Sequence, residues 1–253
     1  MVQVDPIKAF SDNYIWALRK ENKIWVVDPG QAEPVFDYLK QTHTTLAGIL
    51  ITHHHWDHTN GVEALLKAFK NIPVYGPENS PFEGISHKLN DSDEITVADT
   101  KFKIISTPGH TLDHICYMND AFCFAGDTLF SAGCGRLFEG DAEMMWHSLQ
   151  KFAECDDDTL IYCTHEYTQA NLKFAFAVEP NNADLLAYIE KVQKLRDDNQ
   201  ASLPTHFGLE RAVNPFLRAS EESSLVHVPK HLIQDTNENW QKFAALRAWK
   251  DEF

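Results

Sequence analysis

The chain has 253 residues, 43% of them hydrophobic and 23% charged, a composition that excludes a disordered or collagen-like polymer and leaves length enough for a core without disulfide staples. Its 22 Lys+Arg against 37 Asp+Glu give a formal net charge of −15. A field of that sign repels phosphate backbones, so nucleic acid is not an expected partner, and an anionic small substrate needs a local cluster of cations.

In chain order, the opening MVQVDPIKAFSDNY lacks both the basic flank and the apolar core of a signal peptide. No run approaches the ~18 apolar residues of a membrane span. A soluble, cytoplasmic protein without a membrane partner is therefore expected. Short β-branched and aromatic runs predict strands over 24–27, 47–51, 102–105, 121–124 and 160–163. Helical patterns at 34–40, 60–69 and 143–153 alternate with some of them, which predicts a layered α/β arrangement rather than a pure sandwich. Past Cys163 the pattern becomes helical (169–177, 183–199 and 238–253), interrupted by Pro204, Pro215 and Pro229, and a boundary is expected near 168–172. The five cysteines include no C-x-x-C pair, which argues for reduced thiols. No long exposed apolar repeat demands an obligate interface, so a monomer is expected.

Histidines carry the chemistry. The strand at 47–51 runs into Thr52-His53-His54-His55-Trp56-Asp57-His58. On extended backbone, residues two apart share a face, so His53 and His55 point one way and His54 the other. An H-x-H-x-D-H string arises by chance on the order of 10⁻³ times in such a chain. Three more strands end the same way: 102–105 before Pro108-Gly109-His110, 121–124 before Gly126-Asp127-Thr128, and 160–163 before Thr164-His165-Glu166. Ends of neighbouring strands are where α/β sheets place their sites. His53, His55, Asp57, His58, His110, Asp127 and His165 are too many for one tetrahedral zinc, and two metals sharing a carboxylate fit better. Asp28 ends another strand and is a candidate for supporting the site through a hydrogen bond, while a turn-forming Asp explains the position almost as well. His43, His87, His147, His206, His227 and His231 fall outside the pattern and read as structural or surface residues, and His114 as a packing residue.

T-H-H-H-W-D-H followed by P-G-H, G-D-T-L-F and T-H-E-Y resembles the metallo-β-lactamase-fold hydrolases. Cys134-Gly135-Arg136, C-T-H-E-Y at 163–167 and the helical tail resemble, more narrowly, the glyoxalase II (hydroxyacylglutathione hydrolase) family. The resemblance implies an α+β fold, an αββα sandwich over 1–168 with a smaller helical substrate-binding domain over 169–253. It implies a first metal on His53, His55 and His110, a second on Asp57, His58 and His165, and Asp127 with a water-derived hydroxide between them, making Asp57, Asp127 and His58 catalytic. Zinc, iron and manganese all suit such mixed N/O sites. The implied reaction is hydrolysis of S-D-lactoylglutathione and other 2-hydroxyacyl-glutathiones, the second step of methylglyoxal detoxification. A lactonase, or a redox module using a diiron centre, is the competing reading.

The tail at 238–253 supports the glutathione substrate. On a helix, Trp240, Phe243, Leu246, Trp249 and Phe253 form one apolar face, with Arg247 and Lys250 on its side. By resemblance Arg247 and Lys250 bind the glutathione carboxylates, with further contacts from Arg136, Tyr167 and position 138. There Phe138 replaces the family's frequent Tyr and forfeits a hydroxyl contact.

Overall fold

A computed structural model of the chain describes residues 2–233 and 236–253. Its contacts divide into two units. The first holds residues 1–107, 113–119 and 123–126, and the second 108–112, 120–122 and 127–253.

The first unit begins with β1 (Gln3–Ala9), β2 (Asn13–Lys20) and β3 (Lys23–Val27), joined as an antiparallel meander. Helix α1 (Glu33–Thr42) returns the chain to β4 (Thr45–Leu50), which pairs parallel with β3. Short α2 (Trp56–Thr59) and α3 (Val62–Ala68) lead to β5 (Val74–Pro77), and β6 (His87–Leu89) follows; both continue the parallel run. The sheet order is β1-β2-β3-β4-β5-β6. Its core is aliphatic, with Ile24, Val26, Val35, Ile49, Ile51, Val62 and Leu65 fully enclosed. The helix expected over 60–69 forms as α3, preceded by Gly61, whose amide donates to the Pro29 carbonyl at 3.0 Å. A Cβ there would lie 2.4 Å from that same oxygen.

A second antiparallel meander follows: β7 (Glu94–Val97), β8 (Thr100–Ser106), β9 (Ile115–Met118) and β10 (Phe122–Gly126). Ala98 and Asp99 join β7 to β8 with φ of 50° and 58°. Two successive positive φ values match the twist of a two-residue hairpin.

The second unit contains the small hairpin β11 (Leu129–Phe130) with β12 (Gly133–Cys134), then α4 (Ala142–Gln150) and β13 (Leu160–Cys163). Next come α5 (Thr168–Val178), α6 (Ala183–Asp197), β14 (Thr205–His206), α7 (Phe207–Val213) and the tail helix α8 (Asn239–Glu252). Asp141 and Asn182 cap α4 and α6 by accepting the Met144 and Leu185 amides. The helical region packs around Leu172, Ala175, Leu185, Tyr188, Val192 and Val213. Beneath it the fully buried Glu210 carboxyl group accepts from Ser131 Oγ, the Ala132 amide, Thr205 Oγ1 and Asn214 Nδ2 at 2.6–3.1 Å.

A candidate metal centre built from strand ends

Parallel pairing sets the first group of ligands. Val27 of β3 lies opposite Leu50 of β4, so both strands stop at the same level. The next residue, Asp28, donates its amide to the Leu50 carbonyl at 2.9 Å, and its φ of 52° turns the chain away. Its carboxylate accepts from the Thr52 amide and Thr52 Oγ1, each at 2.7 Å, and from His58 Nδ1 at 3.0 Å. An ionised carboxylate only accepts, so His58 holds its proton on Nδ1 and presents Nε2 as a lone-pair donor. Asp28 thus does what its strand-end position suggested.

Within this unit His53, His55, Asp57 and His58 converge. His53 Nε2 lies 3.1 Å from His55 Nδ1, the His53 and His58 rings are 4.1 Å apart, and His58 Nε2 is 3.5 Å from Asp57 Oδ2. Asn13 Nδ2 donates to Asp57 Oδ2 at 3.0 Å. His53 and His58 are fully buried, and His55 and Asp57 half-buried. Gly30 allows the close passage of this loop: a Cβ there would sit 1.8 Å from the Asp57 carbonyl oxygen.

The second unit assembles the other three. Asp127 follows β10, His165 follows β13, and His110 belongs to the Pro108–Leu112 segment. Asp127 Oδ2 lies 3.4 Å from His110 Nε2 and 3.3 Å from His165 Nε2. All three are buried to within 5% exposure. His110 Nδ1 donates to the Arg136 carbonyl at 2.7 Å, which again leaves Nε2 as the donor atom. A Cβ on Gly135 would meet the Asp127 carbonyl oxygen at 1.9 Å and His110 Nδ1 at 3.2 Å, so only glycine fits beside these two ligands. Within each unit, then, imidazole and carboxylate atoms come within 3.1–3.5 Å of one another. Close-set imidazoles and carboxylates, with the ring protons of His58 and His110 committed elsewhere, suit divalent metal.

Two basic residues of the second unit, Arg136 and Arg247, share the Asp251 carboxylate. Arg247 is 6% exposed and pairs with Asp251 Oδ1 at 3.0 Å, while its other nitrogen donates to the Cys134 carbonyl at 3.2 Å. Arg136 Nε reaches the same Asp251 oxygen at 3.4 Å from a side chain more than half exposed. Lys250 Nζ lies 5.2 Å from the centre of the Phe174 ring and 3.4 Å from the Ala170 carbonyl. Burial, and then the Arg247 charge, hold its pKa below the usual lysine range. The α8 face forms as expected around buried Phe243 and Leu246, but Phe253 is 60% exposed. Tyr167 stacks on His165 with ring planes 4° apart, and exposed Phe138 meets His110 edge-on.

Other residues fall into structural roles. His206 caps α7 by accepting the Leu209 amide, and Glu166 accepts from the Ser202 amide. His114 is buried, with Nδ1 2.8 Å from Thr107 Oγ1. All five cysteines are free thiols. His54, which the alternation turns away from the ligands, bonds to Asp113, a residue that sequence reading passed over because it lies 59 positions away.

Comparisons with known proteins agree with this geometry. Residues 10–165 match the family described as "Metallo-beta-lactamase superfamily", and residues 166–253 match "Hydroxyacylglutathione hydrolase C-terminus". A hydroxyacylglutathione hydrolase of Pseudoalteromonas translucida is 59% identical, and one of Aliivibrio salmonicida 50%, in both cases over the full length of both chains. A solved structure, ETHE1 from Myxococcus xanthus, superposes with a TM-score of 0.65 at 23% identity, covering 93% of this chain and 92% of that one, a likeness of fold alone. Among the described residues no helix is long and apolar enough to cross a membrane. With a metallo-β-lactamase fold, a helical C-terminal region and relatives matched from end to end, the chain belongs to the hydroxyacylglutathione hydrolase family of the metallo-β-lactamase superfamily.

Proposed function

We propose that the protein is a metal-dependent thioester hydrolase that cleaves S-D-lactoylglutathione and related 2-hydroxyacyl-glutathiones to the hydroxy acid and glutathione. The observation that carries this reading is full-length similarity to enzymes of that name in a chain whose strand ends gather imidazole and carboxylate groups suited to metal. His53, His55 and His110 would hold one divalent ion, Asp57, His58 and His165 a second, and Asp127 would serve both. Zinc is the proposed metal. Such ions supply a water acidified to a pKa of roughly 7 and a Lewis acid for a carbonyl.

The protein's own groups do the remainder. Asp28 and the Arg136 carbonyl keep His58 and His110 in the tautomers that bind through Nε2. Asp57 is held by Asn13. The leaving group needs no protein acid, because a thiolate with a pKa of ~8.5 departs unprotonated near neutral pH. Arg136, Arg247 and Lys250 answer the need that the net charge of −15 creates, a local cluster of cations for the substrate carboxylates. Tyr167 and Phe138 would flank the glutathione moiety. In this reading residues 1–168 form the metal domain, 169–253 the substrate-binding domain, and the working unit is a monomer in the cytoplasm.

The test is a substrate panel on one zinc-loaded preparation: S-D-lactoylglutathione, a homoserine lactone and a β-lactam. The proposal expects kcat/KM for the thioester to exceed the others by more than a hundredfold. Preferred lactone cleavage would replace it with a lactonase.

A further inference from the structure

The segment carrying His53 and His55 is gripped along its length by a second segment. Ile115 donates its amide to the Thr52 carbonyl at 2.9 Å. The His114 ring stacks on the His53 ring at 5.0 Å with an interplanar angle of 27°. His54 Nδ1 lies 2.9 Å from Asp113 Oδ1. Residues 52, 53 and 54 therefore meet 115, 114 and 113 in antiparallel order, as three consecutive rungs. The first is a main-chain bond, the second a stack of two buried rings, and the third a bond to a carboxylate whose side chain is only 3% exposed.

We infer that the His54–Asp113 pair is a positioning pair for the metal centre: by bonding on the side away from the ligands, it fixes the backbone between His53 and His55. This rests on the proposed metal reading, in which both neighbours of His54 bind the same ion. The physical reason lies in the alternation of side chains. His53 and His55 can face one point only while the residue between them is held on the opposite side, and past Ile51, whose amide donates to the Tyr75 carbonyl at 2.8 Å, this backbone leaves β4. A buried acceptor at Asp113 adds a constraint on that opposite side to the bonds that Thr59 Oγ1 donates to the His54 and His55 carbonyls, and a charge-assisted bond is the stronger kind for that purpose. His114 seats His53 directly, while Asp113 acts on His55 through His54. Partners of this kind around ligating residues typically change metal affinity by 10–100-fold when removed.

The experiment uses the full chain and zinc alone as probe. Apparent zinc affinity and stoichiometry are measured by competition with a chromogenic chelator for wild type, Asp113→Ala, Asp113→Asn and His54→Ala, together with the unfolding midpoint of each metal-free form. The inference expects zinc affinity to fall 10–100-fold in Asp113→Ala and His54→Ala, and by less than about threefold in Asp113→Asn, which keeps an oxygen acceptor for His54. His54→Ala, changing the more exposed partner, decides the matter should Asp113→Ala not fold. Wild-type zinc affinity in either folded alanine variant, whatever its midpoint, overturns the inference. A wild type that binds no zinc overturns both it and the metal reading. A wild type that binds two zinc ions without cleaving thioesters overturns the proposed function, while the affinities still decide the positioning pair.

Discussion

Asp28 concentrates several demands in one side chain. It sits at φ 52°, conformationally costly for a residue with a Cβ, and its carboxylate takes three bonds from Thr52 and His58. Strain of this kind persists where the surroundings over-determine it. Asp28→Ala is expected to weaken zinc binding by 10–100-fold, because His58 loses the acceptor that fixes its tautomer. Chelator competition checks this; unchanged affinity would mean that Thr52 and the backbone suffice. The proposed metal ligands could be named from the sequence because each follows an apolar run within a few residues. Asp28 was legible for the same reason, since its strand ends level with the one carrying the ligands. Asp113 was not: its meaning comes from a register between segments 59 positions apart, which no local pattern encodes.

Helix α8 shows how an element can carry two roles at once. Its apolar positions pack, and Arg247 lies deep among them, over the Phe216 ring and bonded to Cys134 and Asp251. Arg136 reaches the same carboxylate from the surface. The two arginines should therefore separate by measurement. Arg136→Ala is expected to raise KM for glutathione thioesters several-fold, with kcat and thermal stability nearly unchanged. Arg247→Ala should raise KM and also destabilise the fold by about 1–3 kcal/mol, the cost of leaving buried acceptors unpaired. Steady-state kinetics and thermal unfolding of both variants test this; an unchanged KM in both would remove α8 from substrate binding. The sequence showed the cations beside an apolar face, but periodicity alone does not distinguish a residue that reaches solvent from one enclosed by its neighbours. Strands β1 and β2 escaped sequence reading for a different reason. Asp5 and Pro6 interrupt the apolar run of β1, and proline is tolerated there because β1 is an edge strand. Helix α7 was hidden by its length, two turns between irregular segments.

At the scale of the whole molecule, the buried Glu210 of α7 ties together the β11–β12 turn, β14 and Asn214, which in turn donates to the Phe130 carbonyl of β11. Burial pushes its carboxyl above the ordinary glutamate range, with the hydrogen bonds from Thr205, Ala132, Ser131 and Asn214 opposing. A pKa higher in the folded than in the unfolded chain means that the native state binds the proton more tightly. Its stabilising contribution is then fully present below the unfolded value of about 4.3 and is lost as pH rises through the folded value. The stability difference between wild type and Glu210→Gln should therefore shift against wild type as pH rises from 4 to 7, in denaturant titrations of the metal-free protein. A pH-independent difference, or one of opposite sign, would show that the four donors outweigh burial.

In the proposed function the seven imidazole and carboxylate groups serve one hydrolytic purpose through bound metal. The most direct measurement follows S-D-lactoylglutathione cleavage against metal bound per chain, as zinc is stripped by a chelator and then restored. The rate is expected to fall with the metal, to vanish in the stripped protein and to return on reloading, with Asp127→Ala unable to recover under the same treatment. Undiminished cleavage by protein free of metal would contradict the account.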